Sequence, residues 1–376
     1  MKPERLQGYA FFAVLFSALL LVWLATAQGP GFSPDSISYL KTTRGLLGGE
    51  NWTQLGTHFP PGMPILWSFL SLVFPTEFIA ARVLCALSLV SLLLALALIL
   101  RRYSSSDWLI IGILLLPLAT SNFIVHFWLA LSEAPLLAMF VWALYCTLRI
   151  GDGDESRRHW LALMVLLASM LLLRYASLPL VGGLLLFLYL GGPWRDWHWL
   201  LRVFWVGLLS ILPLGLWLIG SLQLGDQSAV RELAFHPPEI AKLQQLSDAL
   251  QTWSGGLTAL IAVPLWIILV VASLLDPQLR KERLVQSVLV LIICYLAFLA
   301  VSVSFVDALT PLDGRILAPL FPLGLCLVYA WLVRLPPVVS GLLLFTWLAF
   351  SIPELTRSVM IANTQGLGYS APAYRD

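Results

Sequence analysis

The side chains able to do chemistry are few in this sequence, and they stand at selected places. The stretch "FSPDSISYLKTTRGLL" (residues 32–47) carries Asp35, with Tyr39 one helical turn later. His58 follows in "THFPPGMPILW", where Pro-Pro-Gly leads back into apolar sequence. Glu133 stands in "LALSEAPLLAMF", shortly after Asn122 and His126. Arg82 in "EFIAARVL", Arg174 in "LLLRYASLPL" and Arg315 in "DGRILAPLFPL" each sit where apolar sequence begins or turns, and Asp313 opens the last of these. A carboxylate outside the hydrocarbon can take a proton from a hydroxyl as a general base. Guanidinium forks match phosphate oxygens. Together these types could bind a phosphate at the membrane surface.

Each residue also has a plainer explanation. Asp35 can stabilise a helix start through the helix dipole, and Glu133 can be a first-turn acid after Ser132. Arginines can snorkel to lipid headgroups. An acid at bilayer depth costs about 2.5–3.5 kcal/mol, which makes Glu133 an expensive choice for a cap alone. One boundary arginine would be uninformative. Three beside two acids point to a site for an anionic lipid headgroup.

The elements that must position these residues follow from composition. Of the 376 residues 59% are hydrophobic and 11% charged, against about 25% charged in soluble domains, so the chain is a membrane protein. A net charge of +2 gives no footprint for nucleic acid. Sixteen Trp suit the membrane interface. The four cysteines lie far apart in apolar runs and read as small core hydrophobes. Walker A, HExxH, GxSxG and CxxC patterns are absent from the sequence.

Apolar runs near 8–27, 78–100, 108–125, 134–149, 160–173, 176–190, 202–220, 254–274, 285–306, 316–333 and 337–352 predict an all-α polytopic protein of about eleven spans. The segment 62–74 falls short of a span and reads as a half-helix. With the N-terminus cytoplasmic, six inward loops then hold 13 of the 22 Lys and Arg, as the positive-inside rule expects. Counting 62–74 as a full span would flip the later loops. The first outer loop, 28–77, then carries Asp35, Tyr39 and His58, while Glu133, Arg82, Arg174, Arg315 and Asp313 share its side. A short outer tail, 353–376, follows the membrane region, 1–352.

Within the first loop Ser33 is a natural N-cap and Pro34 a natural first helical residue. A helix to about Leu47 would place Asp35, Ser38, Tyr39 and Thr42 on one polar face. Ile37, Leu40 and Leu47 would point the other way. That predicts an amphipathic helix lying on the membrane surface.

In order and sidedness these motifs resemble the integral-membrane glycosyltransferases of the GT-C fold. Within that class the sequence is most similar to bacterial relatives of the protein O-mannosyltransferases and lipid A aminoarabinose transferases. The resemblance runs through most of the membrane region. It implies a bacterial inner-membrane enzyme that moves a sugar from a polyprenyl-phosphate donor to a lipid, glycan or protein acceptor on the extracytoplasmic face. It places the family's first-loop acid on Asp35, its second acid on Glu133, and its donor-phosphate arginines on Arg82, Arg174 and Arg315, with Tyr39, His58, His126 and Asp313 auxiliary. Many relatives have Asp-Glu where this chain has Asp35-Ser36, and Asp where it has Glu133. Those departures leave open a divalent metal at Asp35 and Glu133. An inverting single displacement with Asp35 as base is the simplest mechanism. The rival expectation is a transporter or flippase of a lipid-linked or polar substrate, which repeated halves and mid-membrane ionisable groups would mark. A purely structural subunit would leave the one-sided acids and arginines unexplained.

Overall fold

The structure, a computed structural model, describes residues 3–50, 59–154, 156–193, 196–223, 234–237, 239–307 and 310–367. The His58 expectation therefore lies outside the described residues. No strand occurs among the described residues beyond an isolated parallel bridge between Gly31 and Leu129.

The helices run in chain order: α1 Pro3–Ala25, α2 Pro34–Leu47, α3 Gly62–Ser71, α4 Glu77–Arg101, α5 Asp107–Ala119, α6 Ser121–Ile124, α7 Glu133–Gly151 and α8 Arg157–Leu173. After them come α9 Leu178–Gly191, α10 Trp197–Gln223, α11 Ile240–Trp253, α12 Ala259–Leu275, α13 Arg283–Val301, α14 Gly314–Leu317, α15 Leu320–Leu332 and α16 Pro337–Gln365. Each of the eleven apolar runs coincides with one of these helices or with the α5–α6 pair. Among the described residues six helices are long and apolar enough to cross a membrane, and α5 with the segment after it, bent by 71°, makes a seventh if the pair counts as one span. The bend follows Pro117, where Thr120 leaves helical geometry and its hydroxyl bonds back to Leu116 O (2.9 Å). At ten residues α3 rises about 15 Å, half a hydrocarbon core.

The bundle has two chemically different poles. At one, α4 ends in Arg101 and α7 in Gly151. There Arg102 pairs with Asp152 (2.6 Å), Arg101 with Asp107 (3.6 Å), and Arg283 reaches Gly191 O (3.0 Å). Helix connectivity puts the beginnings of α4 and α7, with the end of α8, at the other pole. Several indoles bond across helices: Trp142 to Ser91 (2.8 Å), Trp266 to Ser254 (2.9 Å) and Trp331 to Ser273 (3.0 Å). Tryptophan thus knits the bundle as well as marking its rims.

Two expectations need correction. The polar face assigned to α2 is rotated, because the helix packs on α3. Ser36, Tyr39, Leu40 and Thr43 are buried, whereas Leu47 is exposed. Thr43 Oγ1 reaches Pro64 O (3.4 Å) and Ser68 Oγ reaches Thr43 O (3.4 Å). Second, the last helix does not stop near 352. It continues through Pro353 to Gln365, and Gln28 Nε2 donates to Asn363 O (3.1 Å) near its end.

Candidate active site

Asp35 is held by local sequence chemistry. Ser33 and Ser36 form a reciprocal capping box, with Ser36 N to Ser33 Oγ at 3.3 Å and Ser33 N to Ser36 Oγ at 3.1 Å. The carboxylate of Asp35 therefore projects from the first turn of a fixed helix. The chain just before it is pinned to the segment leading to Glu133: Gly31 N donates to Trp128 O and Ala130 N to Gly31 O, both at 2.9 Å. This pairing brings two acids that are far apart in sequence to one place.

The arginines come from helix breaks. Arg174 stops α8 in an extended conformation, and Ser177 Oγ bonds its carbonyl (2.7 Å). The Pro-Pro-Gly motif abuts this corner. A Cβ on Gly62 would lie 2.6 Å from Leu172 O, so glycine permits the close approach of α3 to the end of α8. Arg315 projects from the single turn of α14. Asp313 caps that turn by accepting from Arg315 N (3.0 Å) and Ile316 N (3.1 Å). Tyr295 OH ties Ile316 O from α13 (2.5 Å).

These pieces converge. Glu133, 3% exposed, accepts from both Arg174 and Arg315 on the same oxygen. Arg315 also donates to Asp35 Oδ2 (2.5 Å). One guanidinium thus joins the two acids. Burial opposes the Arg315 charge, but Glu133 and Asp35 beside it more than offset this and raise its pKa. Tyr39 lies 3.3 Å from Ser132 Oγ, which stands 3.5 Å from the second Glu133 oxygen. Burial pushes the Tyr39 phenol up, partly offset by its Ser132 bond and by Arg174. His126 Nε2 donates to Gly314 O (3.2 Å), just behind Arg315.

Arg82 points elsewhere, with its guanidinium 3.8 Å from the Trp23 ring centroid. It also donates to Thr26 Oγ1 (2.9 Å) and Trp23 O (3.1 Å). Asp35, Glu133, Arg174 and Arg315 are brought together, with Tyr39, His126 and Asp313 around them. Arg82 anchors α4 to the end of α1.

Two cavities flank α14. A pocket of about 300 Å³ is lined by polar side chains, among them Asp35, Tyr39, Arg174 and Asp307, and by apolar ones, among them Phe298, Leu299 and Ile316. A larger one of about 490 Å³ lies against Asp313 and Gly314, between α6, α11 and α16. α11 falls between the apolar runs 202–220 and 254–274, outside every predicted span. Its signal was the spacing of Ile240, Leu243, Leu246, Leu250 and Trp253 on one helical face. From α11, Lys242 Nζ reaches Thr310 O (2.6 Å) and Gln245 Oε1 accepts from Leu312 N (2.9 Å), which holds the approach to Asp313.

Fold and site together define a class: a polytopic all-helical membrane protein with a GT-C fold and an acid–arginine site at one pole of its bundle. Residues 58–219 match the sequence model of the dolichyl-phosphate-mannose-protein mannosyltransferase family. Among solved structures, the chain is similar to ArnT from Cupriavidus metallidurans bound to undecaprenyl phosphate, with a TM-score of 0.63 and 16% identity over 89% of this chain. Against the same protein in the apo state the TM-score is 0.62 and the identity 17%, again over 89% of this chain. The chain spans 61% and 60% of the length of those two structures. No curated protein sequence matches it.

Proposed function

We propose that the chain transfers a sugar from a polyprenyl-phosphate donor to an acceptor hydroxyl, with inversion, at the extracytoplasmic pole. The observation that carries this reading is Arg315, which bridges Asp35 and Glu133 beside a pocket lined by both polar and apolar side chains. A lipid phosphate needs both: guanidinium donors for its oxygens and hydrocarbon walls for its first isoprenoid units. The matched fold supports the donor class, since ArnT has been seen with undecaprenyl phosphate. The basic residues collected at the opposite pole support the orientation.

Arg174 and Arg315 receive the donor phosphate. Arg315 directs its Nε at Glu133 and its Nη2 at Asp35, so a phosphate that turns the guanidinium toward itself competes with the two acids. Each bond it draws away from Asp35 frees a carboxylate oxygen. Asp35 then accepts the acceptor's hydroxyl proton as the acceptor oxygen bonds to the anomeric carbon. The bond from that carbon to the phosphate oxygen breaks, its electron pair leaving on the polyprenyl phosphate, whose charge the arginines stabilise. A single displacement of this kind inverts the anomeric centre. Glu133 holds both arginines in position. Asp35 and Glu133 do not fit a divalent metal as placed, because a guanidinium stands between them and no three His, Cys, Asp or Glu side chains converge as ligands among the described residues. No step is routed through one.

The test is purified protein incubated with radiolabelled polyprenyl-phosphate sugars, the product's anomeric configuration being read by NMR. Loss of label to an acceptor with inversion is the expected result. Retention of configuration would replace the single displacement, and directional movement of intact donor in vesicles without transfer would favour the flippase. In sealed cells an impermeant thiol reagent should label a cysteine placed at Ser38 and spare one at Ser105.

A further inference from the structure

The cavity beyond α14 differs in kind from the pocket beside Asp35. Asn122, Gln245, Asp248, Thr252, Asp313 and Glu354 line it, and no Lys or Arg is among its lining residues within the described part of the chain. Its volume of about 490 Å³ falls in the ~300–1,000 Å³ range of small-molecule sites. Asp313 accepts from two backbone N–H groups and Glu354 Oε1 from Ser121 Oγ (2.8 Å). Those bonds satisfy lone pairs without supplying an opposing charge. The three acids are not gathered as metal ligands, so the walls suit an extended organic group.

A second observation is independent of the acids. Trp128 lines this cavity and is 1% exposed, and its indole N–H, itself shielded from solvent, has no hydrogen-bond partner among the described residues. A buried unpaired donor is costly, and a small turn of the ring toward the cavity would let an oxygen of a bound ligand relieve it.

We propose that this cavity recognises the acceptor through an amine-bearing, polyhydroxylated group of the amino-sugar class. The ammonium faces Asp248, Asp313 and Glu354, while Asn122, Gln245 and Thr252 exchange hydrogen bonds with its hydroxyls. Phosphorylated groups are turned away by the same carboxylates and find guanidinium partners in Arg174 and Arg315 beside the other pocket. The word acceptor rests on the transferase reading; the binding chemistry does not. Binding energy gathered here, away from the reacting hydroxyl, would hold that hydroxyl in place for attack.

Saturation-transfer NMR on the full chain in lipid nanodiscs tests the site, with methyl glucosaminide, methyl N-acetylglucosaminide and glucosamine 6-phosphate as probes. The free amine should bind at least tenfold more tightly than its N-acetyl form, and the phosphate should not bind. The double variant Asp248→Asn with Glu354→Gln should lose that preference while binding of undecaprenyl phosphate stays within twofold. Ser358→Lys, which sets a cation in the cavity wall, should abolish amine binding without removing either acid. Equal binding of the amine and N-acetyl forms, no saturable amine binding, or indifference to both variants would overturn the proposal. Failure of the wild-type protein to bind undecaprenyl phosphate would instead strike the transferase reading, leaving the sugar titration to be judged by itself.

Discussion

The two poles of the bundle use the same side chains to opposite ends. At the basic pole Arg102 and Asp152 form a one-to-one pair, each side chain about a quarter exposed, and Arg334 spreads over Asp276 (3.1 Å) and Glu282 (3.0 Å). Water screens these pairs, and they tie neighbouring helix ends. At the other pole a nearly inaccessible Glu133 takes two guanidiniums on one oxygen. Burial turns an ion pair from a surface decoration into an over-determined cluster, in which each charge depends on the others. A charge concentration of that cost has a use beyond stability, and a phosphate arriving between the arginines is the use argued above.

The contrast is broken most severely at Glu133. Replacing it by Ala leaves two guanidiniums facing each other across a buried gap. Breaking a buried pair costs about 3–5 kcal/mol, and the lower end is expected because Arg315 keeps Asp35. Thermal unfolding of the purified variant checks this, and loss of donor binding should accompany it. Unchanged stability would mean the cluster is no more coupled than the pairs at the basic pole.

Asp35→Asn separates chemistry from architecture. The amide preserves size and the Arg315 contact in part, so stability should change by about 1 kcal/mol or less. Turnover should fall by about 10²-fold or more if Asp35 takes the proton. Donor binding should persist. Wild-type turnover in this variant would sink the base assignment.

Gly62→Ala probes the corner that presents Arg174. The added carbon must displace the Leu172 carbonyl, and overpacking of this kind costs about 1–3 kcal/mol. Donor affinity should weaken along with stability, because the arginine rides on the displaced turn. Normal donor binding at reduced stability would separate the motif from the site.

The smallest effect belongs to the other pole. Asp152→Asn should lower stability by no more than about 1 kcal/mol and leave turnover unaltered. A large loss of activity there would show that the poles are mechanically linked.

How much of this could be read from the chain depends on the range of the interaction. The capped helix at Ser33, the half-helix after Pro61 and the apolar runs are encoded within a few residues of themselves, and they appear where the patterns put them. The convergence of Asp35, Glu133, Arg174 and Arg315 was suggested by shared sidedness alone. The geometry needed the Gly31 pairing, which no local pattern announces. Arg82 obeyed the same boundary rule as its fellows, yet it stacks on Trp23, because sidedness carries no information about rotation around a helix axis. The face of α2 was turned for a related reason. An amphipathic pattern implies lipid as the partner, but α3 supplies one, so Tyr39 lies inside and Leu47 outside. The cavity beyond α14 stayed hidden because its acids sit on three elements, α11, α14 and α16.

The short bridge at Gly31 has a consequence for the order in which the molecule matures. Phe32 N also donates to Leu367 O (3.3 Å), and Gln28 reaches Asn363 across a separation of 335 residues. Contacts so distant along the chain close late, since their loop entropy is repaid only once the intervening helices are packed. Asp35, three residues after Phe32, therefore leaves the ribosome long before the segment that locks its neighbourhood. Until α16 has been inserted and its end has swung back onto the first loop, a half-built protein carries every one of its reactive groups and cannot yet hold them in register.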